Sequence, residues 1–455
     1  MGNTSRRAFI GSTAATAGAY TLGNITGCGE PSLDRIPNNA SYAHPLDGIE
    51  RENITITDVR VTLLSHELKP EEYWATASYV CWKTDSILVE VFTDQGIVGI
   101  GGSTQYGGPE RLKKYTEEVI KPVIVGKNPF DVELLACQSV PLPGERTWIN
   151  WKCCAWAGVD VALWDIIGKA KNMPVYKLLA TDNDPDPHIR VYASHGVNWK
   201  FYDHPESLIE DGVRFKEEGF TAYKFRKGTD WKFSNMTIKK YVSYIYKLRE
   251  AVGYDMDLMH ESMGGSGYTQ QEIIDQLCPV LEELKILWLE EAIGRGSEEE
   301  LEWWLKMKES MPTVMLSGGE TYTSRFQFKE WVDRGAFDIV QPDCNTTGIT
   351  EAWYIARMAH LQGKIAVPHN WHGGLTTMSN AHFVAGIPNR FMMELNQSVN
   401  PLREEVFKEP LVVVNGYMDI PDRPGLGVEV IDDVEKKFPF IPGGFTKPNP
   451  AIQSG

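Results

Sequence analysis

Met256-Asp257-Leu258-Met259-His260-Glu261 is a short, mostly apolar run that ends on an ionisable residue, and the same figure returns five more times along the 455-residue chain. Ile286 to Leu289 precedes Glu290, Val314 to Leu316 comes before Glu320, Phe337 to Val340 before Asp343, Ile365 to Val367 before His369, and Phe391 to Met393 before Glu394. The six ionisable residues are separated by 29, 30, 23, 26 and 25 positions, the length of one strand, one loop and one helix. Helical patterns fill the intervals over 269–284, 298–310 and 349–362. The apolar runs read as parallel strands buried on both faces. A chain that repeats strand then helix in this way predicts an α/β fold, a (β/α)8-type barrel whose strand ends converge on one mouth and bring sequence-distant acids together.

One glutamate after a strand reads best as a solvated loop residue or a helix N-cap neighbour, and Glu298, Glu299 and Glu300 are read that way. The six differ because all share one phase of the repeat, the phase at which barrel enzymes keep their chemistry.

Upstream, the pattern changes. Ile54 to Val61 and Ser86 to Phe92 alternate apolar and polar, and Thr93-Asp94-Gln95-Gly96 marks a turn before Ile97-Val98-Gly99-Ile100-Gly101. These runs predict an antiparallel meander, followed by helix over 110–124 and again from Asp131. The block 53–150 is therefore an α+β capping domain, 151–395 the barrel, and 396–455 a C-terminal segment that completes the cap. Within the cap, 65–84 shows no strong periodicity and carries Trp74, Tyr79 and Trp82; it reads as a loop able to close over the barrel mouth.

The first 28 residues read as a targeting segment. Ser5-Arg6-Arg7-Ala8-Phe9-Ile10 sets paired arginines before a mildly apolar stretch too short and polar for a membrane helix, as in a twin-arginine export signal. Ile25-Thr26-Gly27-Cys28 resembles a lipobox, with Cys28 as the acylated residue; cleavage elsewhere, with Cys28 incidental, is the alternative. Residues 29–52 are rich in Pro, Asn, Asp and Ser and read as a tether. The expected location is periplasmic or on a lipid anchor, which would be the only link to a membrane.

The formal net charge is −16, with no basic run beyond the signal, so nucleic acid and anionic surfaces are poor partners. An anionic substrate would need local positive charge from a metal and a few basic residues. The seven cysteines, Cys153 and Cys154 adjacent, form neither a disulfide framework nor a zinc pattern.

Val159-Asp160-Val161-Ala162-Leu163-Trp164-Asp165-Ile166-Ile167-Gly168-Lys169, then Pro174 to Leu179, and late in the chain Pro421-Asp422-Arg423-Pro424-Gly425-Leu426-Gly427, resemble the mandelate racemase branch of the enolase superfamily, over residues 53 to 440 or so. The resemblance implies one Mg2+ held by Glu261, Glu290 and Glu320 at the ends of the third, fourth and fifth barrel strands. Three carboxylates without cysteine or imidazole suit a hard dication better than zinc. It implies a dyad at the next two strands, Asp343 fixing the tautomer of His369, the general base. His372 lies just past the strand end and reads as loop. It also implies that Glu394 faces the metal as a protonated acid of raised pKa, stabilising the enolate.

Ala222-Tyr223-Lys224-Phe225-Arg226 aligns with the family's Lys-x-Lys, and Arg226 replaces the second lysine. A guanidinium is too weakly acidic to serve as a base at neutral pH, which disfavours two-base racemisation and leaves one-base chemistry by His369. Lys224 and Arg226 are then cations facing the substrate. Glu261 replaces the usual Asp, and His260 and Ser262-Met263 are uncommon neighbours. The reading is a Mg2+-dependent dehydratase of a sugar acid giving a 2-keto-3-deoxy acid. The alternatives are an epimerase or cycloisomerase, and an exported sugar-acid binding protein without chemistry. The resemblance leaves room for a homo-oligomer.

Overall fold

The antiparallel meander expected after Asn53 is present in the computed structural model, which describes residues 44–76, 79–140, 149–197, 204–226, 236–261, 268–292, 297–371 and 373–448. The export signal, Cys28 and the tether up to residue 43 lie outside the described residues, as do His372 and Ser262-Met263. The cap contains β1 (Ile56–Glu67), two short strands β2 (Trp74–Ala75) and β3 (Tyr79–Cys81), β4 (Lys83–Thr93) and β5 (Val98–Ser103). β4 lies between β1 and β5, both antiparallel to it.

Two expectations change. Residues 65–84 are not one loop: Ser65 pairs with Asp85, His66 with Thr84 and Glu67 with Lys83. Pairing with a neighbour sets a strand where the local pattern is weak. Only 68–82 leaves that sheet, and it carries β2 and β3, paired with each other. The tether also ends early, because the Arg51 guanidinium forks onto Asp131 at 2.5 and 2.6 Å and Glu52 takes an ion pair from Lys171 at 2.6 Å.

The barrel has eight parallel strands: β6 (His188–Ser194), β7 (Ala222–Phe225), β8 (Asp257–Glu261), β9 (Trp288–Glu290), β10 (Met315–Gly318), β11 (Ile339–Val340), β12 (Ile365–Ala366) and β13 (Met393–Asn396). Each of β6 to β11 pairs with the next. β13 pairs in parallel with β6, and Ala366 bridges Arg390 just ahead of β13, so the ring closes. Tyr192, Met259, Trp288, Ile339, Val367 and Met392 pack together as the barrel interior. Leu258 belongs instead to the layer between strands and helices. That split is the two-residue alternation of a strand whose faces meet different partners.

Asp165, fully buried in the helix Trp151–Ala170, ties three parts of the chain. Its carboxylate accepts the N–H of Ile100 in β5 at 2.8 Å, the N–H of Leu426 at 2.8 Å, and the Lys169 ammonium at 2.6 Å. Gly425 sits against it with φ +71°, where a Cβ would lie 2.1 Å from Asp165 Oδ1. The late Pro-Gly motif is thus a fastening for the helix that joins cap to barrel. After it, β14 (Val413–Val414) and β15 (Tyr417–Asp419) having extended the sheet from β6, the last strand among the described residues is β16 (Thr446–Pro448), which pairs with β3 of the cap.

Gly425→Ala combines a left-handed backbone with a clash on a buried carboxylate, and should cost at least about 2 kcal/mol. Urea unfolding of the variant and the wild type tests this; midpoints that agree would contradict the fastening.

Candidate active site

The interior phase of the strands continues to the mouth in steps of two. Met259 leads to Glu261, Trp288 to Glu290, Ile339 through Gln341 to Asp343, Val367 to His369, Met392 to Glu394, and Ala222 through Lys224 to Arg226. Glu320 reaches the same place from the turn after β10. Gly319 makes that turn with φ +108°, pressed against Phe328 so closely that a Cβ would fall 2.2 Å from its ring. Alternation therefore gathers seven of the eight predicted site residues and the Gly319 turn brings the eighth, while burial of the six preceding interior side chains fixes their height.

Lys224 is the hub. Its buried ammonium lies 3.0 Å from Glu261 Oε2 and 2.8 Å from Glu394 Oε1, and makes a short ion pair with Glu290 Oε1. Arg226 pairs with Glu261 Oε1 and stacks its guanidinium 4.4 Å from the centre of the Trp371 ring. Glu290 Oε2 accepts N–H groups from Gln341 at 2.7 Å and from the Trp288 indole at 3.3 Å. Burial holds the Glu290 carboxyl up at about 7; Lys224 works against this, and the three neighbouring glutamates reinforce it. Glu261 is lowered, because Arg226 and Lys224 outweigh its burial. One lysine cannot neutralise three buried carboxylates, and the deficit falls on Glu290.

The expected protonated Glu394 is corrected. Burial pushes its carboxyl up, but Lys224 and His369 pull it down further, to about 2. Asn370 also donates its N–H to Glu394 Oε2 at 2.8 Å. Glu394 is a carboxylate that anchors Lys224.

His369 has the geometry of a held base. Nδ1 lies 2.7 Å from Asp343 Oδ2, and Nε2 faces Glu320 Oε2 at 3.6 Å. The other Asp343 oxygen accepts from Asn345 N–H at 2.9 Å, the Asn345 amide at 2.6 Å and the Asn380 amide at 3.2 Å, so the acid cannot turn. Burial lowers the imidazole, but Glu320, the Asp343 hydrogen bond and Glu394 raise it to about 10. In this state the ring is an imidazolium; a cation placed among the carboxylates would compete with it and return it toward a base.

Glu261, Glu290 and Glu320 each present an oxygen within 4.8 Å of the others. An all-oxygen set, buried and short of positive charge, fits a hard dication that keeps positions open for water and substrate. His260, singled out by its place beside Glu261, is on the other face: fully buried, it meets the Tyr241 hydroxyl at 3.0 Å and packs edge-on to Phe225. Its burial lowers it to about 4, as befits a core histidine. Two supporting residues escaped the sequence reading. Gln341 could have been found as the inward residue two before Asp343, whereas Asn380 lies in the helix Gly374–Gly386 with no local signal.

The family model of the mandelate racemase / muconate lactonizing enzyme N-terminal domain matches residues 59–180, and that of the enolase C-terminal domain-like family matches 208–434. The chain belongs to the enolase superfamily, in that branch. It is 30% identical to the D-galactarolactone cycloisomerase of Agrobacterium fabrum, over 84% of this chain and 98% of that protein. It is also 30% identical to the arabinonate dehydratase of Saccharolobus solfataricus, over 77% of this chain and 90% of that one. The crystal structure of the 3,6-anhydro-D-galactonate cycloisomerase of Zobellia galactanivorans superposes with a TM-score of 0.70 at 29% identity, covering 84% of this chain and 98% of that chain.

The raised His369 contributes stability that is fully present below its ordinary 6.5 and lost as pH rises through about 10. Urea unfolding of chelator-treated wild type and His369→Asn across that window should show the wild type losing more stability toward the alkaline end. Parallel profiles would contradict the ion pairing of His369.

Proposed function

We propose that the chain is a Mg2+-dependent dehydratase of a sugar acid, held in its metal site by Glu261, Glu290 and Glu320. The observation that carries this reading is the position of His369: one nitrogen fixed by Asp343 at 2.7 Å, the other 3.6 Å from the carboxylate triad. When bound, the dication supplies Lewis-acid stabilisation of charge developing on the substrate carboxylate. His369 removes the proton α to that carboxylate, and the C–H electrons move into an enediolate. Lys224, oriented by Glu394, faces that charge with its ammonium. The β C–O bond then breaks, the imidazolium gives its proton to the departing hydroxide, and water leaves. The enol that remains tautomerises to the 2-keto-3-deoxy acid.

Arg226 stays cationic: burial lowers it, but Glu261 and the other glutamates raise it. No second base then stands on strand β7, which argues against racemisation. The second reading is a cycloisomerase, in which the enediolate or its precursor is resolved within the molecule instead of losing water. Two of the similar proteins are cycloisomerases, the D-galactarolactone and 3,6-anhydro-D-galactonate enzymes, which is what favours it. The arabinonate dehydratase, a D-xylonate dehydratase from Haloferax volcanii at 28% identity and a D-galactonate dehydratase from Xanthomonas oryzae pv. oryzae at 28% support dehydration. Export through residues 1–28 belongs to the same proposal and would place the enzyme where sugar acids from extracellular polysaccharide are met.

With Mg2+ and sugar acids in D2O, wild type should form 2-keto acid, and His369→Asn should lose at least about a hundredfold in rate while still binding Mg2+. Deuterium uptake without keto acid would move the assignment to the second reading. A variant with wild-type turnover would sink the base.

A further inference from the structure

Beyond Glu394, strand β13 carries Asn396 in the same inward phase, and Asn396 lines a narrow pocket between barrel and cap. Thr84 and Asp85 of β4 line it from the cap, and Trp371, Asn396 and Ser398 from the barrel. Trp371 relates the pocket to the carboxylate cluster: its ring carries the Arg226 guanidinium at 4.4 Å and meets Trp74 edge-on at 5.8 Å. Its free space suits a single hydroxyl group rather than a ring.

Three groups in this lining have no hydrogen-bond partner among the described residues: the Thr84 hydroxyl, the Ser398 hydroxyl and the Trp371 indole N–H. Their residues are 5%, 5% and 3% exposed. Orphaned polar groups at such burial are uncommon, and three around one pocket call for a polar ligand. The only ionisable group among the described lining residues is Asp85, an acid. Its partner Lys83 is fully buried, 3.0 Å from Asp85 Oδ2 and donating to the Ile441 carbonyl, so that ammonium is already committed. Asn396 adds an amide whose oxygen accepts the Ser398 N–H at 2.7 Å. Such a lining offers both donors and acceptors and no free positive charge. A hydroxyl is satisfied by it; a carboxylate would be desolvated beside another carboxylate without a counter-charge.

We propose that this pocket receives the terminal hydroxyl of the substrate, so that the site selects a monocarboxylic polyol acid, an aldonate, over the dicarboxylate of the same configuration. The inference rests on the sugar-acid reading above and narrows it. It assigns Thr84 and Ser398 to substrate specificity rather than to chemistry.

Calorimetry of the Mg2+-loaded full chain with D-galactonate and D-gluconate, against galactarate and D-glucarate, tests it, with 2-keto acid formation read on the same samples. The favoured aldonate should bind at least about tenfold more tightly than its diacid. Thr84→Val and Ser398→Ala should each weaken that aldonate by about fivefold, with unfolding midpoints of the wild type. Equal or tighter binding of the diacid, aldonate affinity unchanged in both variants, or binding of neither class would overturn the assignment. Aldonate selectivity without keto acid would leave the pocket standing and sink the dehydratase. Keto acid formed with reversed selectivity would do the opposite.

Discussion

Lys224 holds three buried carboxylates from three different strands, and the rest of the site is arranged around the charge it cannot balance. Glu261, Glu290 and Glu394 all lie at its ammonium, with Glu320 beyond. Removing several like charges from water is among the most costly arrangements a fold can contain. Here the cost is offset by Lys224, by Arg226 on Glu261, and by His369 as an imidazolium facing Glu320. The direction of each pKa follows: Glu394 pulled down beside two cations, Glu290 left high, His369 driven up. Lys224, Arg226 and His369 are the counter-ions of this cluster. A dication bound there would compete with them for the same carboxylates.

The scaffold makes that concentration achievable. Glu261, Glu290 and Glu394 each sit two residues past a side chain packed in the barrel interior, so the interior packing also sets the geometry of the mouth. The cap is held over the mouth at widely separated points of the sequence. Asp165 joins β5 to the Leu426 turn, β16 pairs with β3, and the β2–β3 insert sets Trp74 against Trp371. Segments far apart in the chain therefore share responsibility for one small polar pocket between cap and barrel.

Much of this was legible beforehand because a repeat of strand and helix has one simple closed solution. The spacing of the six ionisable residues led to the barrel, and the same alternation that marks β8 and β13 as strands places Glu261 and Glu394 inside. What escaped was set by partners distant in sequence. The pairing of Ser65 to Glu67 with β4 is invisible in their own pattern, and residues 44–52 looked like a tether because Asp131 and Lys171 lie far along the chain. The protonation of Glu394 was misjudged for the same reason: its state depends on where the Lys224 and His369 cations come to rest. Asn380 steadies Asp343 from a helix whose sequence carries no sign of that task.

The proposed chemistry depends first on these carboxylates holding a divalent cation. Calorimetric titration of Mg2+ into chelator-treated wild type and Glu290→Gln measures that without any assumption about substrate. One ion per chain is expected in the wild type, and an affinity lower by at least about tenfold in the variant. No binding to the folded wild type, or equal affinity in the two proteins, would contradict it.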